Sequence, residues 1–187
     1  MYKRQISSTF CIVGQILRNA AAYSAILGLQ TRIYNVRANR TQPGLKLQHL
    51  IALESLADAC GGNLIGGSVG SNDVTFQASF DSSLEVNQKE ALVGDTKTAG
   101  SICLLLQAVL PYVMCTNRKI NWTFRGGTNA LMAPQYDYWE HVFLPVLSKM
   151  GTSVESIQAQ VIRRGYFPKG GGEVAVSYTH LTLPTKA

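Results

Sequence analysis

Residues 163–173 read RRGYFPKGGGE, and this stretch says more about the fold than any other part of the chain. Three consecutive glycines follow a Pro-Lys pair, so the backbone can turn tightly there and approach another strand or a ligand closely. The paired arginines Arg163 and Arg164 supply charge that suits an anionic partner. Two interpretations stay open from these residues alone: a turn packed between strands, or a loop that holds an anion.

The composition is that of a globular α/β chain. Of 187 residues, 46% are apolar and 15% are charged, which is enough core material for one domain or part of a larger one and excludes a disordered chain. The net charge of +6 favours anionic partners such as nucleic acid or nucleotides, although an excess of this size is also common on proteins that bind neither.

The cysteines and the most apolar segment indicate a reduced protein without a membrane span. No CxxC pair or metal-ligand spacing occurs among Cys11, Cys60, Cys103 and Cys115. We expect Cys103 and Cys115 to be reduced core residues, which fits a reducing compartment. The apolar run at 99–115 is short and contains Gln107 and Pro111, so we expect a buried helix and no membrane association. The N-terminus lacks the apolar region of a secretory signal.

Apolar periodicity and turn residues predict alternating helices and strands. Helices are predicted over residues 14–27, 45–59 and 137–150, with another from residue 98 that Pro111 kinks or ends. Strands are predicted over 31–36, 63–67, 74–77, 121–124 and 153–163. The sequence contains a weak internal repeat. Gly28, a strand and residues 37–44 resemble Gly151, a strand and residues 163–170, as would be expected of duplicated β-α units.

Two polar clusters lie at predicted helix starts. The sequence GQILR at 14–18 opens a helix whose free N–H groups favour anions, with Arg18 one turn in; an exposed arginine is the alternative. The sequence GDTKTAGS at 94–101 precedes the helix that contains Gln107, and it suits either helix capping or phosphate contact. The amide of Gln107, inside a leucine-rich helix, needs a partner such as a base edge or a backbone group.

Two further clusters lie in predicted loops. The sequence RANRTQPGLKLQH at 37–49 places Arg37 and Arg40 as a fork for phosphate oxygens, with Gln48 and its neighbouring histidine as donors on the following helix. A solvated turn is the alternative. The sequence at 125–138, RGGTNALMAPQYDY, has an apolar Met-Ala-Pro face that suits either a nucleobase or plain loop packing.

Taken together and in this order, residues 14–176 closely resemble the RNA 3'-terminal phosphate cyclases. The resemblance is carried by GQILR, RAxRxxPGLxxQH, GGTxxxxAP and RGxxPxGGGxV, and DTKTAGS is similar to the eukaryotic branch. It implies an α/β (α+β layered) fold of repeated units, each with two helices packed on a four-stranded sheet. The chain would be an incomplete copy of the family's main domain, its N-terminal part. Residues 1–13 and 177–187 are expected to be non-native or unrelated termini.

The resemblance also implies an activity: ATP-dependent conversion of an RNA 3'-terminal phosphate into a 2',3'-cyclic phosphate, with release of AMP and pyrophosphate. In the family, a histidine attacks ATP, AMP passes to the RNA phosphate, and the neighbouring 2'-OH displaces AMP, assisted by a divalent metal, Mg or Mn. By position, the residues that would hold phosphates are Arg18, Arg37, Arg40 and Gln48. Those that would contact the adenine nucleotide are Gln107 and Pro134.

Departures from the family pattern bear on catalysis. Where the family has Glu-Gly-Gly-Gly, with the glutamate near the metal, this chain has CIVG at 11–14. The nucleophilic histidine belongs to the family's C-terminal part, so no catalytic residue is assigned to this chain. His49, His141 and His180 do not match its position. We therefore expect that the polypeptide as written does not turn over.

Other functions share parts of this pattern. The main alternative is the non-catalytic cyclase-like RNA-binding protein of ribosome assembly, which uses the same fold but a different early helix. An enolpyruvyl transferase resembles the fold without these anion-binding motifs, and a generic RNA-binding module would need no chemistry. We expect localisation in the nucleus (nucleoplasm) if the source is eukaryotic and in the cytoplasm otherwise. The expected partners are ATP and an RNA with a 3'-phosphate end.

Overall fold

A computed structural model describes residues 3–6, 14–79, 91–116, 118–152 and 154–179. It divides into two compact units: residues 1–87 with 105–112, called here the first unit, and residues 88–104 with 113–187, the second unit. The strands are β1 (Lys3–Ile6), β2 (Gln30–Tyr34), β3 (Asn63–Ile65), β4 (Asp73–Gln77), β5 (Leu92–Asp95), β6 (Ile120–Gly126), β7 (Ile157–Arg163) and β8 (Gly172–Tyr178). The helices are α1 (Gly14–Leu27), α2 (Leu47–Cys60), α3 (Ile102–Cys115), and a continuous helical segment of α4 (Tyr136–Tyr138), a π-helical turn (Trp139–Phe143) and α5 (Leu144–Lys149).

The two units repeat one strand topology. The first sheet has the order β1-β2-β4-β3 and the second the order β5-β6-β8-β7. In each sheet the first pair is parallel and the other two pairs are antiparallel. The chain order is strand, helix, strand, helix, strand, strand in both cases. The predicted layered α/β fold of repeated four-stranded units is therefore confirmed.

The structural repeat does not match the weak repeat in the sequence. The sequence repeat pairs β2 with β7. The topology makes β2 equivalent to β6, since each is the second strand of its unit and lies beside its parallel partner. The sequence repeat paired the wrong strands, because its glycine-strand-arginine pattern follows the first helix in one unit and the second helix in the other.

The core of the first unit lies between its sheet and helices α1 and α2. Small residues on α1 (Ala20, Ala21, Ala22 and Ala25) are buried and let the helices pack closely, while Ile33 and Phe76 project from the sheet and are fully buried. Helix α2 ends where predicted, because Gly61 adopts the left-handed conformation (φ 64°) and its N–H bonds to the last-turn carbonyls.

The core of the second unit is built on alternate residues of β6 and β8. Every second side chain on these strands is buried, as expected for a sheet with one covered face. Trp122 and Phe124 stack with ring centroids 6.0 Å apart, and Trp139 from the π-helical turn is also buried.

Helix α3 departs from its prediction at both ends. It starts at Ile102 rather than at residue 98, because Thr98 and its neighbours form a side-chain-bonded loop: Thr96 Oγ1 donates to the Thr98 carbonyl and Lys97 N–H donates to the Asp95 carboxylate. It also runs past Pro111, which is exposed, so of the two predicted effects of this proline the ending of the helix is wrong, while a kink stays a prediction.

Several residues near the ends of the chain lie in regular structure. Lys3–Ile6 pairs with β2, and Ser177 and Tyr178 complete β8. Strands β1, β5 and β8 were not predicted. That residues 1–13 and 177–187 are foreign to the domain stays a prediction, as does its boundary at 14–176.

The cysteines partly follow their prediction. Cys60 is buried and Cys103 is buried as expected, but Cys115 is exposed at the end of α3 and is not a core residue. Burial raises the pKa of the Cys103 thiol to about 12, so this side chain is an inert thiol. Cys11 lies outside the described residues. None of the helices in the described part of the chain combines the length and apolar character that a membrane crossing requires.

Candidate nucleotide and phosphate site

The loop between β2 and α2 is folded into a compact turn that rests on the loop between β3 and β4. Gly44 N–H bonds to the Val36 carbonyl at 2.9 Å, and Gly70 N–H bonds to the Leu45 carbonyl at 2.8 Å. A Cβ on Gly44 would lie 2.1 Å from the Gly70 carbonyl oxygen, so only glycine fits this crossing. The close crossing at Gly44 therefore constrains the course of the loop that carries Arg37 and Arg40.

Arg37 and Arg40 differ in how they are held. Arg37 has φ 53° and its Nη1 donates to the Gly44 carbonyl at 3.1 Å, so its half-buried guanidinium is braced across the loop. Arg40 is exposed; among the described residues, no hydrogen bond or ion pair of its guanidinium is found. One arginine of the predicted fork is preorganised and the other is free to move toward a ligand.

His49 forms the buried floor beside this loop. Its ring is 6% exposed, and its Nδ1 accepts a hydrogen bond from the Lys46 N–H at 3.2 Å. Burial first, and then the positive charges of Arg37, Arg18 and Lys46, lower the pKa of His49 to about 4. The imidazole is therefore neutral at physiological pH, with its remaining proton on Nε2.

The start of α1 lies against the His49 ring. A Cβ on Gly14 would lie 2.5 Å from His49 Nε2 and 3.5 Å from an Arg18 nitrogen. Glycine is needed here for close approach, which explains why GQILR opens with it. The first turn of α1 contains no acidic residue, and neither does that of α2. Both helix starts therefore keep the partial positive charge of their free N–H groups.

Arg18 is a buried cation without a carboxylate partner among the described residues. It is 7% exposed, and burial lowers its pKa. Its Nη2 donates to the Gln107 side-chain oxygen at 3.3 Å; the middle of α3, residues 105–112, belongs to the first unit. The predicted need of Gln107 for a partner is confirmed, although the partner is a guanidinium rather than a base edge or backbone group. Because a neutral amide carries no net charge, the buried positive charge of Arg18 is not neutralised by Gln107, and an anion would stabilise it.

Pro134 lies in the second unit, on the loop between β6 and α4. It is half-buried, close to the turn in which Tyr136 N–H bonds to the Thr128 carbonyl at 2.9 Å. This loop follows the second strand of its unit, as the loop of Arg37 and Arg40 does in the first. The two predicted clusters thus occupy equivalent positions in the repeat.

Three glycines of RRGYFPKGGGE, Gly165, Gly170 and Gly172, pack against backbone atoms within the second unit. A Cβ on Gly165 would lie 2.2 Å from the Gly172 nitrogen and 2.3 Å from the Gly126 carbonyl oxygen. Thr128, fully buried, accepts from Gly165 N–H through Oγ1 at 3.1 Å; the one proton of its hydroxyl has two acceptors in reach, Asn129 Oδ1 at 2.9 Å and the Gly165 carbonyl at 3.1 Å. Of the two interpretations left open, these contacts support the packed turn.

The two arginines of that stretch already have partners. Arg164 donates two hydrogen bonds to the Asp137 carboxylate, at 2.8 and 2.6 Å, and lies over the Tyr136 ring. Arg163 Nε donates to the Gly171 carbonyl at 2.6 Å, which leaves its outer nitrogens exposed.

Comparison with known proteins decides the family. The sequence model of the family described as "RTC: RNA 3'-terminal phosphate cyclase" matches residues 13–186. The chain belongs to the RNA 3'-terminal phosphate cyclase family. Similar curated cyclases come from the bacterium Nitrosospira multiformis (38% identity over 163 residues) and the archaeon Sulfolobus acidocaldarius (38% over 164). A protein named probable RNA 3'-terminal phosphate cyclase, from Dictyostelium discoideum, is 37% identical over 171 residues.

The chain matches only part of each cyclase relative. The alignments cover 87%, 88% and 91% of this chain but 44%, 46% and 38% of those three relatives. The chain thus spans under half the length of these cyclases. Similar identity to bacterial, archaeal and eukaryotic relatives leaves the eukaryotic branch a prediction.

The structure brings together part of the predicted site. Arg18 and Gln107 are in direct contact, and the charges of Arg37 and Arg18 lower the pKa of His49. Arg40 lies on the same loop, and Gln48 is half-buried in the first turn of α2. Pro134 belongs to the second unit. The predicted phosphate-binding set of Arg18, Arg37, Arg40 and Gln48 did not include Gly14 or His49, although the sequence clusters at 14–18 and 37–49 contain both.

The described residues offer little to a metal ion. The grouping of ligand side chains found among them is Asp137, Glu140 and His141, whose ligand atoms lie within 4.8 Å of one another. Both oxygens of Asp137 accept from Arg164, and that guanidinium repels a cation. Around Arg18 the neighbours are cations and amides, which do not fit a bare divalent ion.

Proposed function

We propose that this chain carries the anion-binding half of an ATP-dependent RNA 3'-phosphate cyclase. The whole protein would convert an RNA 3'-terminal phosphate into a 2',3'-cyclic phosphate and release AMP and pyrophosphate. The observation that carries the proposal is the buried Arg18, which is held by an amide and has no carboxylate partner among the described residues. A phosphate oxygen would supply the missing negative charge and form a charge-assisted hydrogen bond with it.

The roles of the residues follow from how each is held. Arg18 and Arg37, fixed by Gln107 and by the loop backbone, would bind phosphate oxygens in one defined geometry. Arg40, exposed and without a fixed contact among the described residues, would close on the ligand after it binds. Gln48 would add a donor beside the start of α2.

Gln107 would contact the adenine nucleotide. It bonds to Arg18 through its oxygen, so its amide N–H groups stay available to a nucleotide. The family resemblance also implies a nucleotide contact for Pro134, which lies in the second unit. A divalent metal, Mg or Mn, would enter with the triphosphate of ATP, and it would neutralise phosphate charge during transfer.

The same contacts support binding without turnover by this chain. His49 is unsuited to nucleophilic attack, because Nδ1 accepts from Lys46 and Nε2 lies against Gly14. The attacking histidine of the whole cyclase would come from outside this chain. The localisation we propose is the nucleus in a eukaryotic source and the cytoplasm otherwise.

A chimera tests the proposal. Residues 13–186 of this chain would replace the matching segment of the Sulfolobus acidocaldarius cyclase, with the unmodified parent as control. We expect covalent labelling by ATP that is radioactive at the α-phosphate, followed by cyclisation of an oligoribonucleotide 3'-phosphate. A folded chimera that accepts no label, beside a parent that does, would refute adenylylation; RNA binding without labelling would favour the non-catalytic alternative.

Substituting Arg40 separates its role from nucleotide binding. In the chimera, Arg40→Ala is expected to reduce cyclisation of the RNA 3'-phosphate more than ATP labelling, since the mobile guanidinium would close on the RNA end. Equal losses in both assays would contradict the assignment of this arginine.

A further inference from the structure

Three loops of the second unit meet at one edge of its sheet. They join β5 to α3, β6 to α4, and β7 to β8, and they start where these three strands end. Thr128 N–H bonds to the Gly165 carbonyl at 2.9 Å, Gly127 N–H bonds to the Gly100 carbonyl at 2.7 Å, and Asn129 pairs with Tyr166 in a parallel bridge. The loops are therefore tied together and present a fixed surface.

Large apolar side chains are concentrated on two of these loops. Phe167 is 78% exposed, Tyr166 57% and Met132 97%, and Leu131 beside it is also exposed. The Asn129–Tyr166 bridge brings the two loops side by side. Single exposed apolar residues are ordinary, whereas four on adjoining loops form a candidate binding surface.

Exposed cations flank these side chains, and no ion pair of theirs is found among the described residues. Arg163 is the last residue of β7 and keeps its outer guanidinium nitrogens exposed, Lys169 is exposed on the β7–β8 loop, and Lys97 is exposed on the β5–α3 loop. The nearby carboxylates of Asp137 and Glu173 are already engaged, by Arg164 and by Arg125. The surface therefore offers aromatic faces beside free positive charge.

We propose that this surface, the aromatic edge (Met132, Arg163, Tyr166, Phe167 and Lys169), binds single-stranded RNA. Unpaired bases would stack on Phe167 and Tyr166, and Lys169 and Arg163 would contact the phosphates between them. The choice of RNA over an apolar protein partner follows from the charge, since cations without carboxylate partners suit a polyanion. The inference rests on the proposed function only in taking RNA as the nucleic acid.

Binding of an oligonucleotide that lacks a 3'-phosphate tests the aromatic edge alone. The probe is a fluorescein-labelled eight-residue oligoadenylate with a 3'-hydroxyl, titrated with the 187-residue chain and followed by fluorescence anisotropy. Phe167→Ala is expected to weaken binding roughly 5-fold or more, as for loss of one stacked base, while Phe167→Trp keeps the affinity. An abasic oligonucleotide of equal charge should bind both variants equally. The matched control is Tyr23→Ala, because Tyr23 is a 62% exposed aromatic residue on α1.

A charge variant gives a second readout that does not depend on the ring. Lys169→Gln is expected to lower the slope of log affinity against log salt by about one, with Lys149→Gln as control. Unchanged oligoadenylate affinity in Phe167→Ala, or an equal loss on the abasic probe, would overturn the proposal. So would a homodimer by light scattering that Phe167→Ala dissociates, since a second copy would then be the occupant. A failed proposed function would appear instead as absent ATP labelling, with the stacking effect intact.

Discussion

Replacing Gly14 by alanine tests its packing against His49, beside the proposed anion site. The new methyl carbon would lie 2.5 Å from His49 Nε2 and 3.0 Å from Cδ2. The imidazole cannot retreat freely, because Nδ1 bonds to Lys46 N–H at 3.2 Å and the ring is buried. Overpacking of this kind costs roughly 1–3 kcal/mol. Alanine in a helix gains at most about 1 kcal/mol over glycine, so we expect the free energy of unfolding to fall by about 0–2 kcal/mol if this gain is realised in full and by about 1–3 kcal/mol if it is not.

A double-mutant cycle isolates that contact. His49→Ala removes the ring, and in this background Gly14→Ala should be neutral or stabilising by up to about 1 kcal/mol. Urea unfolding of the wild-type chain, both single variants and the double variant gives the coupling energy. Gln15→Ala, at an exposed neighbouring position, is the control. If Gly14→Ala has the same effect with and without the His49 ring, the proposed packing is wrong.

Two further predictions concern buried polar groups. The pKa of His49 in the folded chain is about 4, below its ordinary value of 6.5, so the unfolded chain binds more protons at pH values between the two. The free energy of unfolding should therefore fall by roughly 2–3 kcal/mol as the pH drops from 7 to 4. His49→Gln should reduce this pH dependence in urea unfolding, and an unchanged slope would contradict the neutral, buried imidazole. Thr128→Val removes the hydroxyl that bonds to the backbone of Gly165 and should lower the free energy of unfolding by about 1–3 kcal/mol. The control, Thr123→Val on the half-buried face of β6, should have a small effect. Equal effects of the two substitutions would refute a specific role of the Thr128 hydroxyl.

The sequence predicted the bounds of those helices that end at a glycine. Helix α1 matches its predicted bounds because Gly28 stops it, and α2 matches within two residues because Gly61 adopts the left-handed conformation. Strand β5 was missed because four residues that include a glycine carry little periodicity; its pairing with β6 is what makes it a strand.

The candidate site depends on contacts that sequence reasoning does not reach. Arg18 and Gln107 are 89 positions apart, so each could be singled out as needing a partner, but not assigned to the other. The glycine-rich stretch shows the opposite case. Its residue types were recognised, but the choice between packing and ligand binding depended on where Gly126 and Thr128 lie relative to Gly165.

The central claim is that Arg18 is kept buried for an anion rather than for stability. Arg18→Met removes a guanidinium whose burial is costly and whose described side-chain partner is a neutral amide, so urea unfolding without ligand should change by less than about 1 kcal/mol. The increase in melting temperature that ATP and an RNA 3'-phosphate oligonucleotide give the wild-type chain should disappear in this variant. If Arg18→Met instead unfolds the chain or keeps the full ligand-induced increase, the account of this site is contradicted.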